Sequence, residues 1–472
     1  MSETARSEPA RIGSVRIEHD SLGEVEVPAD ALWGAQTQRA LDNFDVGGQR
    51  FPLEVVHQIA AVKAAAAVVN GGRDDVSAVD PEMASAIEGA ALAVVAGTHD
   101  DAFPLDVLQT GSGTSSNMNV NEVIAHLASA ELGRAVHPND HVNAAQSSND
   151  VVPTAIRLAV ALALGDVGAA LEHAAGSLDA KGVEFADVVK MGRTHLMDAA
   201  PVLLGWEFDG WAAQLRNAGA RIADAIAPLL AIPLGGTAVG TGVNVPPGWV
   251  DAVRSRLAAL SGLELAPTPH AYVSQAGHED MVAAGGALKS GATALIKVAN
   301  DLRLIASGPF GGLGEIVLPA IQPGSSIMPG KVNPVICESV VQAGYRVIGN
   351  DVTVGVAASA GTLELNTTMP LMAWMLLDSA GLVRRSAQAL ADRCVAGIVA
   401  DEAHCADLAG RSPALVTGLV PFVGYEVAAQ AARLVGEHGV ALADALAQVG
   451  VDLDSDPRLR AAIDPARLAR GG

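Results

Sequence analysis

The sequence predicts an all-α protein built around a central bundle of long helices. Half of the 472 residues are hydrophobic but only 3% are aromatic, so alanine, valine and leucine supply most of the apolar surface. Alanine and leucine favour closely packed helices. Apolar residues also recur every three to four positions through four long segments, whose overall apolarity suits helices buried on most sides. These segments are 155–180, 204–230, 279–307 and 335–358.

Length and local composition divide the chain into three predicted domains, because 472 residues exceed the usual size of one hydrophobic core. Residues 1–145 mix short helical stretches with a loop rich in glycine, asparagine and serine. Residues 146–401 hold the long helices. Residues 402–472 form a small C-terminal helical domain, in which prolines separate shorter segments.

The net charge of −22 excludes two classes of partner. Nucleic acids and anionic membrane surfaces bind basic patches, so neither is expected. An anionic metabolite can still bind, but only in a pocket whose local field opposes that of the whole molecule. The uncharged run 225–250 is interrupted by glycines and prolines, so it predicts a buried turn between helices rather than a membrane span.

Cysteine usage and the N-terminal segment predict a cytoplasmic protein. Cys337, Cys394 and Cys405 are too few and too far apart for a disulfide framework or an obvious iron–sulfur site. Residues 1–11 are polar and charged, without the apolar core of a signal peptide. Both features fit the reducing cytoplasm.

Three polar loops, 111–117, 147–150 and 331–333, each precede a segment with helical character. Pro153 and Pro334 fall where the first turns of two of these helices are expected. Helix starts carry free N–H groups and about half a positive charge, so several in one pocket would bind a carboxylate or phosphate. Each loop alone is also explained by ordinary capping, for example by Asn333, and the sequence does not reveal whether the loops converge.

Other motifs are tested against nucleotide, metal and proton-transfer sites. The segment 324–331 has the spacing Gly-x5-Gly-Lys-Val, whereas a P-loop needs Gly-x4-Gly-Lys followed by Ser or Thr, so no nucleotide site is predicted. His137 and His141 are four residues apart, as metal ligands on a helix can be, but Pro138 favours a loop or helix start and no metal is predicted. The segment 192–195 (Gly-Arg-Thr-His) combines a cation, a hydroxyl and an imidazole, a set suited to anion binding and proton transfer, although a single histidine is usually structural.

Taken in order, these motifs resemble those of the class II, metal-independent fumarases of the fumarase/aspartase superfamily. The matching segments are 23–39, 110–114, 116–119, 137–140, 146–150, 192–196, 235–242 and the signature segment 324–334. The resemblance covers nearly the whole chain. It implies the fumarase/aspartase-like fold, a homotetramer with a core of about twenty helices, and active sites that three subunits share. It also implies no cofactor and a place in the tricarboxylic acid cycle.

The resemblance further implies a reaction and a role for individual residues. The reaction is the reversible anti addition of water to fumarate, which gives L-malate. In the reverse direction Ser325 removes the proton next to a carboxylate, while Lys331 and backbone amides stabilise its alkoxide. On the opposite face His195, paired with Glu338, protonates the departing hydroxyl through a bound water.

Two sets of binding residues follow from the same resemblance. The residues implied to bind the substrate carboxylates are Ser112, Gly113, Thr114, Ser147, Ser148, Asn149, Thr194, Ser326, Lys331, Val332 and Asn333. The residues implied to form a second, outer anion site are His137, Pro138, Asn139 and Asp140.

Two alternative functions stay open at this point. Aspartase, an ammonia-lyase acting on L-aspartate, shares the signature loop, but there the position of His195 is usually glutamine and the loop reads Pro-Ala-Lys instead of residues 329–331 (Pro-Gly-Lys). The second alternative is a non-catalytic scaffold protein, against which the retained site residues argue. Met197 and Trp206 stand where fumarases typically have glutamine, so these residues either change the edge of the pocket or repack helices.

Overall fold

The computed structural model describes residues 14–76 and 78–471, and the polar segment 1–11 lies outside these residues. Helices dominate the described part of the chain, which confirms the predicted all-α class. The N-terminal elements are β1 (Val15–Asp20), β2 (Gly23–Pro28), α1 (Ala35–Asn43), α2 (Leu53–Asn70), α3 (Pro81–Val95) and α4 (Thr114–Leu132).

Long helices occupy the middle of the chain, with short strands between them. The elements are α5 (Ser148–Glu184), β3 (Val189–Thr194), β4 (Met197–Leu203), α6 (Leu204–Leu229), β5 (Ala231–Ile232), α7 (Trp249–Ser261), β6 (Ala266–Pro267), α8 (Ala271–Ala276), α9 (Glu279–Ile305), β7 (Ile316–Val317), α10 (Val335–Ala358) and α11 (Met369–Arg393). Helices α5, α6, α9 and α10 confirm the four long helical segments predicted from periodicity.

Short elements complete the C-terminal part. They are β8 (Val399–Ala400), α12 (Glu402–Arg411), α13 (Val420–Val423), α14 (Tyr425–His438), α15 (Leu442–Gln448), α16 (Pro457–Ala462) and α17 (Pro465–Ala469). Their core is small and aliphatic, formed around the buried residues Leu419, Ala431 and Leu446.

Contacts between residues divide the chain into two compact units. The first unit contains residues up to 166, 222–288 and 347–381, and the second contains 167–221, 289–346 and the chain from 382 onward. Each unit is therefore assembled from three separate segments of the chain. The predicted division into 1–145, 146–401 and 402–472 follows chain order instead and stays a prediction.

The core of the first unit is built around α2, which is apolar on nearly all sides. Helices α3 and α7 pack on it. Trp249, the first residue of α7, is fully buried, and its indole N–H donates a 2.6 Å hydrogen bond to Asn70 at the end of α2. A buried tryptophan thus has a partner for its polar edge, which joins the ends of two helices.

Two helices of the described chain, α2 and α5, are long and apolar enough to cross a membrane. The apolar windows of both are 67% buried within the fold, as is typical of core helices. The run 225–250 does not continue as one helix, because α6 ends at Leu229 and α7 begins at Trp249. Its prediction as a turn between helices is confirmed, but its predicted burial is wrong for part of the turn, because Val239 and Val243 are exposed.

Candidate active site

Three hydroxyl groups of the first unit form a chain where two helices begin. Thr114 is the first residue of α4, and Ser148 is the first residue of α5. The hydroxyl oxygen of Thr114 lies 2.9 Å from that of Ser112 and 2.8 Å from that of Ser148. Beside them, the Asn149 amide donates a 2.8 Å hydrogen bond to the carbonyl of Ala238, which fixes its orientation. Two of the three predicted helix starts therefore converge, as an anion site of this kind requires.

The loop before α4 approaches its surroundings too closely to carry side chains. A Cβ on Gly111 would lie 1.7 Å from the carbonyl oxygen of Thr367. Gly113 has a φ of +73°, and a Cβ there would lie 2.7 Å from Val152. The glycines therefore let the backbone place Ser112 and Thr114 against the start of α5.

Asp150 ties the second polar loop to a neighbouring glycine-rich loop. Its carboxylate accepts the N–H of Ser147 at 3.0 Å, that of Gly235 at 2.9 Å and that of Thr237 at 3.0 Å. Burial raises the pKa of Asp150, while these three backbone hydrogen bonds and the nearby Lys63 oppose that rise. The segment 235–242, one of the segments that resemble the family, thus holds the loop before α5 in place through Asp150.

Lys63 is a second buried charge beneath the same loop. Its ammonium donates to Asn143 at 2.8 Å and to Gln146 at 3.0 Å. Burial lowers the pKa of Lys63 to about 7, an effect that the negative charge of Asp150 opposes. Sequence reasoning missed Lys63, because an isolated lysine within the apolar helix α2 carries no motif.

The signature segment 324–334 folds around the hydroxyl oxygen of Ser325. The backbone N–H groups of Ile327 and Met328 donate to this oxygen at 3.2 Å and 3.0 Å. An alkoxide accepts such hydrogen bonds more strongly than a neutral hydroxyl does. The loop therefore supplies part of the stabilisation that a serine base needs.

Two contacts close this loop at its base. The N–H of Gly324 donates to the Lys331 carbonyl, and the Asn333 amide donates to the Gly324 carbonyl, both at 2.7 Å. A Cβ on Gly324 would lie 2.6 Å from the Lys331 carbonyl, and Gly330 has a φ of +81°. Helix α10 begins at Val335, directly after this closed loop.

The outer face of the loop is exposed. Ile327 is 84% exposed, and Ser326, Met328 and Val332 are exposed as well. The ammonium of Lys331 has no hydrogen-bond or ion-pair partner within residues 14–76 and 78–471. A cation beside exposed apolar side chains is available to a ligand or to another chain.

His195 occupies the tip of the hairpin formed by β3 and β4. Thr194 pairs with Met197, so His195 and Leu196 form a two-residue turn, with φ values of 54° and 62°. Type I′ turns require positive φ at both positions, which asparagine and glycine adopt most easily. For other residues this conformation costs about 1 kcal/mol or more each. The tip is therefore strained, and it is also exposed, with Leu196 71% and Met197 70% accessible.

The implied partner of His195, Glu338, lies in the first turn of α10. Within the described residues neither the imidazole of His195 nor the carboxylate of Glu338 has a side-chain partner. One chain does not form this pair, which stays a prediction. Met197 and Trp206 are both exposed, so neither has repacked a helix interior, and both remain candidates for the edge of a pocket.

Arg193 does not present its charge to an anion as the segment 192–195 suggested. Its guanidinium donates to the buried carboxylate of Glu315 at 2.8 Å. Lys190, from the same strand, contacts Glu315 and also pairs with Glu207. Sequence reasoning missed this cluster, since Glu315 is more than a hundred residues from Lys190 and Arg193 and shares no motif with them.

The residues of the implied second anion site lie in the first unit beside a cleft of about 840 Å³. The Nδ1 atom of His137 accepts the N–H groups of Asn139 at 3.3 Å and Asp140 at 3.1 Å. The lining carries both signs of charge: Arg16, His126 and His137 stand beside the acidic Glu18, Asp20 and Glu122. The role of this cleft as a second anion site stays a prediction.

The two histidines of this region act as backbone acceptors. The Nδ1 atom of His141 accepts the N–H of His137 at 2.8 Å, while His137 caps the turn that follows it. Each ring therefore uses one nitrogen in the local fold. Among the described residues, no group of three or more His, Cys, Asp or Glu side chains could hold a metal ion.

Comparison with known proteins places the chain among lyases. Residues 23–349 match a family described as "Lyase". "Fumarate hydratase class II" of Xylella fastidiosa is 47% identical, covering 97% of this chain and 96% of the relative. "Fumarate hydratase class II 1" of Pseudomonas aeruginosa is 49% identical, covering 92% of this chain and 95% of the relative.

Solved structures have the same fold. The crystal structure of recombinant class II fumarase from Schistosoma mansoni superposes with a TM-score of 0.92 at 36% identity, covering 97% of this chain and 99% of that one. "Fumarate lyase:delta crystallin from Brucella melitensis bound to cobalt" has a TM-score of 0.91 at 44% identity, covering 97% and 100%. Both confirm the fold that the motifs predicted.

Proposed function

Because this chain belongs to the lyase family that includes the class II fumarate hydratases, we infer that it is a fumarate hydratase. It is a hydro-lyase that adds water reversibly to fumarate and gives L-malate. Identity of 47% and 49% to two fumarate hydratases, over more than nine-tenths of the chain, carries this conclusion. No such observation favours aspartase.

We propose that one substrate carboxylate binds at the hydroxyl cluster of the first unit. The net charge of −22 repels a dianion, so the site needs a local positive field. The starts of α4 and α5 meet at Ser112, Thr114 and Ser148, which supports this role because free N–H groups and hydroxyls both donate to carboxylates. Further ligands proposed from the family pattern are Gly113, Ser147, Asn149, Thr194, Ser326, Lys331, Val332 and Asn333.

Ser325 is the proposed base. In the malate-to-fumarate direction it takes the proton from the carbon next to a carboxylate, which leaves an aci-carboxylate. The two N–H groups that reach its oxygen support this role, because they lower the free energy of the alkoxide. Lys331 adds a positive charge on the same loop, six residues after Ser325.

His195 is the proposed acid on the opposite face of the substrate. It donates a proton through a water to the departing hydroxyl, and Glu338 stabilises the imidazolium. Neither side chain has a side-chain partner within residues 14–76 and 78–471 of its own chain, which supports completion of the site by other subunits. Acid–base chemistry of this kind needs no cofactor.

A homotetramer in which three subunits share each active site is part of the proposal. Helix α10 is apolar on two faces: Val347 and Val354 are buried, and an opposite stripe is exposed. The exposed stripe consists of Tyr345, Ile348, Val352 and Val356. Such a helix is typical of one that is buried in an assembly.

We also propose that the enzyme works in the cytoplasm, in the tricarboxylic acid cycle. Its three cysteines are free thiols, and the sulfur atoms of Cys337 and Cys394 are 3.8 Å apart without forming a disulfide. A reducing compartment fits this state.

The direct test offers the purified protein L-malate or L-aspartate without added metal and follows the ultraviolet absorbance of fumarate. Fumarate from L-malate alone is the expected result. Fumarate from L-aspartate alone would make the protein an aspartase. No fumarate from either substrate would favour a scaffold role.

A further inference from the structure

Glu315 is a fully buried carboxylate that the proposed reaction does not use. Its side chain is 0% exposed. Its backbone is fixed on both sides, since its N–H donates to the Ile305 carbonyl at 2.8 Å and its carbonyl accepts the N–H of Asp401 at 3.0 Å. An ionised group in such a place needs paired charges.

Two cations of strand β3 supply these charges. Arg193 donates a 2.8 Å hydrogen bond to Oε1 of Glu315, and the Lys190 ammonium lies 3.0 Å from Oε2 in an ion pair without hydrogen-bond geometry. Both cationic side chains are largely buried. Glu207 offers Lys190 a second carboxylate at 2.8 Å and 2.9 Å, but it is 30% exposed.

The hairpin bends between these two cations. Its strands slip by one residue opposite Gly192, with the extra residue on β4. A Cβ on Gly192 would lie 2.5 Å from the carbonyl oxygen of Ala200, so the close approach requires glycine. Bulges of this kind bend a hairpin and re-aim the residues beyond it. Lys190 precedes the bend and Arg193 follows it. A carboxylate that pairs with both therefore fixes the tip of the hairpin relative to the part of the hairpin before the bend.

The tip of the hairpin carries the imidazole of His195, whose orientation the proposed proton transfer requires. Arg193 is two residues before His195, and both His195 and Leu196 have positive φ values. The imidazole has no partner among the described residues of its own chain, so the hairpin backbone is what orients it.

We propose that Glu315 is a positioning residue for proton transfer by His195. It acts through Arg193 and Lys190, which hold the strained tip of the hairpin in one orientation. This inference rests on the proposed function, in which His195 is the acid. A carboxylate that served only the stability of the fold would have the same contacts, so the test must separate the two roles.

A double-mutant cycle separates them. Glu315→Gln keeps the shape of the side chain but removes its charge, and His195→Asn removes the imidazole. We expect Glu315→Gln to lower kcat for L-malate roughly tenfold or more in the wild-type background, but less than about twofold when His195 is already asparagine. Equal factors in both backgrounds would overturn the proposal, because a general loss of stability acts independently of His195.

Glu207→Gln is the matched control. Glu207 pairs with Lys190 but not with Arg193. The kcat of the Glu207→Gln enzyme should therefore stay within about twofold of the wild-type value. If Glu315→Gln does not fold, Arg193→Lys provides the same cycle, since it keeps the charge and loses the planar fork. If the wild-type protein forms no fumarate, both the proposed function and this inference are wrong. If the wild type is active but Glu315→Gln lowers kcat by the same factor in both backgrounds, only the inference is wrong.

Discussion

The hydroxyl cluster of the first unit and the hairpin tip of the second carry polar groups proposed for the same reaction, yet they are built differently. In the cluster, Ser112, Thr114 and Ser148 each lie within 2.9 Å of a neighbouring hydroxyl of the same chain. At the tip, His195 is exposed, has a positive φ and has no partner in the described residues of its chain. One chain thus completes the contacts of the proposed binding surface, whereas the proposed acid has no side-chain contact in the described part of its chain.

The signature loop combines both situations. Its backbone fixes Ser325 through two N–H groups, as the cluster fixes its hydroxyls. Its ammonium at Lys331 has no partner among the described residues, like the imidazole at the tip. The hydroxyl of the proposed base is therefore oriented by its own loop, while the proposed ligand Lys331 has no contact that holds its charge among the described residues.

The largest effect is expected at the base. Ser325→Ala should reduce kcat for L-malate at least about a hundredfold, in the range typical of losing a positioned base, and leave the tetramer intact. Steady-state kinetics and light scattering measure both properties. The control Ser359→Ala removes an exposed serine at the end of α10 and should change neither. A nearly fully active Ser325→Ala enzyme would show that Ser325 is not the base. The comparison of the signature loop with the hairpin tip would then not concern a base and an acid.

The next largest effect is expected at Lys331, whose ammonium has no partner among the described residues. Lys331→Met should lower kcat/KM roughly tenfold to a hundredfold, since a hydrogen bond to a charged group contributes about 1.5–3 kcal/mol. Lys297→Met is the control, because that exposed lysine pairs with Asp301 of its own helix and is not among the proposed site residues. Unchanged kinetics for Lys331→Met would mean that its ammonium does not meet the substrate.

A smaller effect is expected in the hydroxyl cluster. Ser148→Ala should raise KM roughly tenfold with little change in kcat, because a hydrogen bond to a charged group such as a carboxylate contributes about 1.5 kcal/mol or more. The exposed Ser255, whose hydroxyl donates to the carbonyl of Asp251, provides an alanine control. A loss confined to kcat would contradict a binding role for this cluster.

The smallest effect on turnover is expected for Lys63→Met, beneath the hydroxyl cluster. Its main effect should be on how the stability of the protein changes with pH. Burial lowers the pKa of Lys63 to about 7, so between pH 7 and about 10.5 the unfolded chain binds a proton that the folded protein has released. The free energy of unfolding therefore gains from Lys63 as pH rises through this window. Urea unfolding at pH 7 and pH 9 should show a weaker rise for Lys63→Met. Parallel profiles would contradict the lowered pKa.

Local patterns predicted the helices and the loops that begin them, because periodicity and capping act within a few residues. They did not predict that Thr114 and Ser148 meet, since this contact depends on how distant helices pack. The side-chain amide of Asn333 donates to the carbonyl of Gly324, nine residues earlier, a contact that capping patterns do not predict. Arg193 and Glu315 are 122 residues apart, so their pairing has no local signal.

The chemistry of the site shows the same limit. Spacing alone described the signature segment only as a glycine-bounded loop that fails as a P-loop. The resemblance supplied a base at Ser325, and the structure adds two N–H groups that suit an alkoxide. The hairpin was not predicted, because its turn residues His195 and Leu196 lack the asparagine and glycine that usually mark such turns.

Subunit complementation tests the central claim most directly, namely that the base and the acid of one active site come from different chains. Ser325→Ala and His195→Asn proteins, each nearly inactive, are unfolded together and refolded as mixed tetramers, and fumarate formation from L-malate is measured. Activity should return to up to about a quarter of the wild-type level, since a random mixture places both intact residues at roughly one site in four. Mixed tetramers of normal mass with no recovered activity would contradict the account.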